Sequence, residues 1–132
     1  MFLGLLQFNL LIPGAESLKD KRRVVRSVKD RLHREHQVSV AEVRHLENPS
    51  IAGMAIAIVN RDGKHLRGVL DTISDKLRSL PDAQLADCSR EILHADQLPT
   101  AYQDDDGNEL WTEDERRGTR PDDESGQQSG PP

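Results

Sequence analysis

The first twelve residues alternate between two sets of side chains, as residues do in a strand with two different faces. The face that the pattern assigns to the core carries Phe2, Leu6, Phe8, Leu10 and Ile12. The opposite face carries Leu3, Leu5, Gln7, Asn9 and Leu11. Because both faces are largely apolar, we predict a central strand, which ends at Pro13 and Gly14.

Two later segments repeat apolar residues at the spacing of an amphipathic helix. The first is predicted from an N-cap at Ser17, three residues before Asp20, to about His36. Its apolar stripe comprises Leu18, Val24, Val25, Val28 and Leu32. The second is predicted from an N-cap at Asp62 to a stop before Pro81. Its stripe comprises Leu66, Val69, Leu70, Ile73 and Leu77.

Three further segments are predicted as strands. Residues 37–45 are rich in β-branched side chains and place Ser39, Ala41 and Val43 on one face. After a turn at residues 48–50, the continuous apolar run 51–59 is predicted inside the sheet, whereas the more polar run 83–93 is predicted at an edge. The order β-α-β-β-α-β predicts an α+β domain of ferredoxin-like topology over residues 1–94, a four-stranded antiparallel sheet with two helices on one face.

The chain changes character after residue 94. Residues 1–94 hold 15 basic and 12 acidic side chains, whereas residues 95–132 hold 3 and 11 and few apolar ones. This composition predicts a disordered acidic tail over residues 95–132, which we hypothesise folds back on the basic first helix. Asp104, Asp106, Asn108 and Glu115 fit the spacing of a calcium loop, but Glu109 stands where that loop requires glycine, so no calcium site is predicted.

Several functional classes find little support. Cys88 is the only cysteine, which excludes a disulfide framework, and it is predicted as a small buried hydrophobe in a cytoplasmic protein. The apolar start of the chain is too short for a membrane span and lacks the basic flank of an export signal. The five histidines lack ligand spacing with carboxylates, and Pro13–Glu16 lacks the arginine and glycine-rich loop of acylphosphatases. We therefore expect a non-enzymatic protein with no cofactor and no metal.

A family resemblance is carried by residues 17–32, SLKDKRRVVRSVKDRL, followed by residues 38–43, VSVAEV. With the strand before them and the end at residues 90–93, these segments resemble the YlxP-like family of small bacterial proteins over about residues 1–94. The resemblance implies a ferredoxin-like domain of unknown function whose genes often lie among those for translation initiation and ribosome maturation. Family members commonly carry an acidic and aromatic stretch after the second strand, where this chain has only residues 44–50.

The first helix carries a basic face beside its apolar one, with Arg34 at the border and Asp30 as the only acid within it. Such a face suits phosphate backbones, which release counterions when they are neutralised. We predict contact with ribosomal or other structured RNA through Lys19, Lys21, Arg22, Arg23, Arg26 and Lys29. The contact would be electrostatic, since Phe2 and Phe8 are assigned to the core and cannot stack bases. The alternative is a solvated face without a partner; sequence-specific DNA binding and membrane binding are not expected.

The sheet face without helices is the second candidate. It would present an apolar patch formed by Leu3, Leu5, Leu11, Gly53, Ala55 and Ala57. We hypothesise homodimerisation through this face, in a module that binds another protein. The alternatives are that the two faces are assigned the wrong way round, or that Leu110 and Trp111 of the tail cover the patch.

Overall fold

The computed structural model describes residues 1–97. The predicted features of residues 98–132, including the acidic tail, the calcium-like spacing within 104–115, and the side chains Leu110 and Trp111, lie outside the described residues.

The secondary structure follows the predicted order. The strands are β1 (Phe2–Leu11), β2 (Ser39–Arg44), β3 (Ile51–Asn60) and β4 (Gln84–His94). The helices are α1 (Leu18–Glu35) and α2 (Gly63–Arg78), and a 3₁₀ turn follows at Ala95–Gln97. None of the described helices has both the length and the apolar character that crossing a membrane requires.

All strand pairs are antiparallel, and the sheet order is β2-β3-β1-β4. Both helices pack on one face of this sheet, so the ferredoxin-like α+β fold is confirmed. The central positions of β1 and β3 are also confirmed, because β1 pairs with β3 and β4, and β3 pairs with β1 and β2. The edge position of β4 is confirmed because it pairs with β1 alone.

Both predicted helix starts are capped as expected. The Ser17 hydroxyl accepts a hydrogen bond from the backbone N–H of Asp20, and the Asp20 carboxylate accepts one from the N–H of Glu16. At α2, Asp62 accepts from the N–H groups of Lys64 and His65. Each cap satisfies amide groups that have no partner within the helix, which fixes where the helix begins.

The core lies between the helices and one face of the sheet. In β1 and β3 it takes alternate residues, Leu6, Phe8, Leu10, Ala52, Met54 and Ile56, all 1% exposed or less. The intervening residues of both strands point to the other side, which neither described helix covers; there Gly53 is buried beneath the Arg44 side chain of β2. The face assignment made from the alternation is therefore correct.

Two predictions about the end of the domain are wrong. Cys88 is exposed rather than buried, because it lies on an edge strand where the register with β1 shifts between Gln7 and Asn9. Asp87 adopts a left-handed φ of 52° at this irregularity and accepts a hydrogen bond from the Asn9 side chain. Residues 95–97, which were assigned to the disordered tail, form the 3₁₀ turn, and the Ala95 N–H donates to the Met1 carbonyl.

Candidate nucleic-acid interface

The orientation of α1 is set by its apolar side chains. Val25, Val28 and Leu32 are buried against β2 and β3, so the opposite side of the helix points away from the sheet. The eighteen residues of α1 include eight lysines and arginines against three acids. Because the buried side is mostly apolar, most of that excess positive charge is presented to solvent.

The solvent-facing cations form one continuous surface, which we call the basic face. Its members are Lys19, Arg22, Arg23, Arg26, Lys29 and Arg34, of which only Lys29 is half-buried. Within residues 1–97 no carboxylate lies within 4.0 Å of any of these six cationic groups. By contrast, Arg31 on the same helix pairs with Glu35 at 3.6 Å. The basic face is thus free of ion pairs with described carboxylates.

Two open grooves run along this surface. One, of about 600 Å³, is lined by five members of the basic face and by the acid Asp30; the five are Lys19, Arg22, Arg23, Arg26 and Arg34. The other, of about 570 Å³, lies between α1 and the region of β2. Its lining includes the cations Arg22, Arg26 and Lys29 and the acids Asp30 and Glu42. Arg22 and Arg26 line both grooves and therefore occupy the centre of the basic face.

Lys21 does not belong to the basic face, so its predicted RNA contact is wrong. Its side chain is 1% exposed, and its Nζ lies 2.7 Å from the Glu42 carboxylate of β2. The same ammonium donates to the carbonyl oxygens of His45, Leu46 and Ile51 at 2.9, 3.3 and 3.2 Å. A group enclosed by four oxygen atoms cannot reach a polyanion; instead it fixes the β2–β3 connection to α1.

A spacing in the sequence contains the signal for this burial. Leu18, Lys21, Val25, Val28 and Leu32 follow one another at intervals of three and four residues, which is the seam of an amphipathic helix. The apolar stripe predicted from the sequence included Val24 in place of Lys21, and Val24 is only half-buried at the edge of the buried side. A charged residue within such a seam is buried only with a partner, and Glu42 is that partner.

A second ionic cluster joins the C-terminal ends of the two helices. Lys76 of α2 lies 2.8 Å from Glu35 and donates to Nε2 of His36 at 2.9 Å. The hydrogen bond from Lys76 lowers the pKa of Glu35 below its ordinary 4.5. Partial burial lowers the pKa of His36 below 6.5, and the nearby Lys76 ammonium lowers it further. His36 is the C-cap of α1, with an extended backbone, and its side chain serves this contact.

The loop between β1 and α1 borders a groove of about 720 Å³. Its charged lining consists of the carboxyl side chains of Glu16, Asp20 and Asp82 with the single guanidinium of Arg23. Three carboxylates against one cation repel a phosphoryl group rather than bind it. No cluster of three or more histidine, cysteine or acidic side chains suited to a metal occurs within residues 1–97.

The remaining sheet face, which we call the open face, carries the residues predicted for it. The cross-strand pairs Leu3–Val59, Leu5–Ala57, Gln7–Ala55 and Leu11–Ile51 place the predicted leucines and alanines side by side there. Val59 is 64% exposed on this face. Phe8 is fully buried and Phe2 packs on His94 and the core, so the described part of the chain offers the open face no phenylalanine for base stacking.

Comparison with known protein families identifies a match over most of the described domain. Residues 3–90, which span β1 to most of β4, match the model of a family described as protein of unknown function, DUF503. No curated protein matches the chain.

Proposed function

The chain belongs to the DUF503 family, and from that premise we propose that it is a non-enzymatic accessory protein that binds structured RNA, such as the surface of a ribosomal particle, through the basic face of α1. The observation that carries the proposal is the absence, within residues 1–97, of any carboxylate within 4.0 Å of the six basic-face cations. Cations that form no ion pair within the domain contribute the most binding free energy on a phosphate backbone, because each phosphate that they neutralise releases its counterions.

The shape of the surface favours a phosphate backbone over exposed bases. The cations project from one helix of 18 residues, about 27 Å long, a length that covers several phosphate spacings along a duplex. The described residues of the basic face include no aromatic side chain, so single-stranded bases would find nothing to stack on. The YlxP-like resemblance supports the ribosomal setting, since genes of that family often lie among those of translation.

Binding by this surface depends steeply on salt. If the helix neutralises four phosphates, the affinity for a hairpin RNA falls about 100-fold between 50 and 200 mM salt. Replacement of Arg22 and Arg26 by glutamate removes the two cations shared by both grooves and lowers the slope of log K against log salt by about 2. Fluorescence anisotropy with a labelled hairpin, and co-sedimentation with ribosomal subunits at both salt concentrations, measure these changes.

The chain offers a control of equal charge. Arg61 and Arg67 are exposed at the start of α2 and, like Arg22, pair with no described carboxylate. Replacing both by glutamate changes the net charge by the same amount, yet we expect the affinity to stay within about twofold of the unaltered protein and the salt slope to change by less than about 0.5. Equal losses in the two variants would show that only the net charge matters and would contradict the proposal.

A further inference from the structure

One acidic side chain lies in the middle of the basic face. Asp30 is exposed, and together with Arg22 and Arg26 it lines both grooves on the outer side of α1. At about 100° per residue, Asp30 lies about 170° around the helix from the middle of the buried side of α1. Asp30 therefore stands on the crest of α1, the line along the helix that is farthest from the sheet.

An acid among cations on a helix usually pairs with them, but Asp30 does not. Arg26 precedes it by four residues and Arg34 follows it by four, which is the spacing of helical ion pairs. Within residues 1–97, however, no cation lies within 4.0 Å of the Asp30 carboxylate. At the same spacing on the same helix, Arg31 and Glu35 do pair, at 3.6 Å. The Asp30 carboxylate is thus available to accept hydrogen bonds from a ligand.

A carboxylate at this position needs a hydrogen-bond donor on the ligand, because it repels every phosphate that comes near it. RNA supplies such a donor in the 2′-hydroxyl of each ribose, which DNA lacks. An A-form duplex displays these hydroxyls in a wide and shallow minor groove. A hydrogen bond from a hydroxyl to a carboxylate is charge-assisted and is about twice as strong as one between neutral groups. Such a bond can outweigh the repulsion from screened phosphates.

We propose that Asp30 is the residue through which the basic face distinguishes RNA from DNA. Its carboxylate accepts a hydrogen bond from a 2′-hydroxyl, while Arg26 and Arg34 bind the two phosphates on either side of that ribose. The order cation, acceptor, cation along α1 matches the order phosphate, hydroxyl, phosphate along an RNA strand. The aspartate is short and the arginines are long, so the crest can approach the ribose while the guanidinium groups reach the backbone. This inference rests on the proposed function and narrows its ligand to double-stranded RNA.

Fluorescence anisotropy of the full chain with three labelled hairpins of one sequence tests the inference. The hairpins are RNA, DNA, and RNA with 2′-fluoro in place of the stem 2′-hydroxyls, which keeps the A form but has no proton to donate. We expect the unaltered chain to bind RNA about 10-fold more tightly than either of the other two. Asp30→Ala should bind the 2′-fluoro hairpin about twofold more tightly, because a negative charge is lost, and RNA about fivefold more weakly. Its preference between the two A-form hairpins is then gone.

Two further variants separate the hydrogen bond from the charge. In Asp30→Asn the amide oxygen still accepts a hydrogen bond, but a weaker one, so a preference of about threefold for RNA should remain. Glu91→Ala removes the same charge from the open face, where Glu91 is opposite Leu5, and should leave the preference for RNA at about 10-fold. Circular dichroism melts check that each variant is folded.

Two results with Asp30→Ala would overturn the inference and leave RNA binding by the basic face in place. Tighter binding to both A-form hairpins would show that Asp30 only repels phosphates. Equal losses on both would show that Asp30 positions the arginines without meeting a hydroxyl. Equal affinities of the unaltered chain for RNA and DNA would also overturn it. If the unaltered chain bound none of the hairpins, the proposed function itself would be contradicted, and this inference with it.

Discussion

The buried ammonium of Lys21 gives the sharpest test of how this domain is held together. The substitution Lys21→Met keeps the length of the side chain and removes its charge and its three protons. The Glu42 carboxylate at 2.7 Å then loses its partner, and so do the carbonyl oxygens of His45, Leu46 and Ile51. The β2–β3 connection would be held to α1 by apolar contact alone.

The magnitude follows from what the ammonium leaves behind. Removing one partner of a buried ion pair costs about 3–5 kcal/mol, because the remaining charge is buried without compensation. Glu42 is 17% exposed, so water can reach part of its carboxylate and the upper end of that range is not expected. We expect a loss of about 3–4 kcal/mol in the free energy of unfolding, a large share of the 5–15 kcal/mol typical of a domain.

Equilibrium urea unfolding followed by circular dichroism measures the loss as a lower midpoint at an unchanged slope. Lys19→Met is the matched control, since Lys19 is exposed two residues earlier on the same helix, and its effect should stay within about 0.5 kcal/mol. Adding Glu42→Gln to Lys21→Met removes the stranded charge, so the double variant should be at least about 1 kcal/mol more stable than the sum of the two single effects. A Lys21→Met protein within about 1 kcal/mol of the original would refute the reasoning.

Three other predictions follow from the packing. The pKa of His36 is lowered in the folded state, so its contribution to stability is complete above pH 6.5 and is lost as the pH falls through the folded pKa. In His36→Asn the urea midpoint should therefore fall less between about pH 6.5 and 5 than it does in the unaltered protein. An unchanged dependence of the midpoint on pH would contradict this. Gly53→Ala should lower the free energy of unfolding by about 1–3 kcal/mol, because a Cβ there would lie 2.6 Å from the Cβ of Arg44. Gly68→Ala in α2, where a Cβ meets nothing within 4 Å, should raise it by about 0.5–1 kcal/mol. Thermal melts that rank the two variants the other way would refute this account of the packing. Ser17→Ala should cost about 1 kcal/mol through the lost N-cap, measured against Ser27→Ala on the exposed side of α1, and equal stabilities would show that the cap contributes nothing.

The sequence was sufficient for features that depend on near neighbours. The two-residue alternation of β1 predicted which side chains are buried, and Leu6, Phe8 and Leu10 are buried as expected. Ser17 and Asp62 marked the starts of both helices, because a cap acts over two or three residues. Helical geometry also placed Lys19, Arg22, Arg23, Arg26 and Lys29 on one exposed side of α1, although the predicted set wrongly included Lys21.

The tertiary structure decided which of those side chains face solvent and which find distant partners. Lys21 is removed from the basic face by oxygens that come from residues 42–51, more than twenty positions along the chain. Likewise, the Lys76 that contacts His36 and the irregular edge that exposes Cys88 arise only when separate elements meet. The repeat of apolar residues in a helix or strand lies within that one element, so the sequence of the element is enough to predict which of its faces is buried. The desolvation of a charged side chain depends instead on atoms of distant residues that come close only when the chain folds.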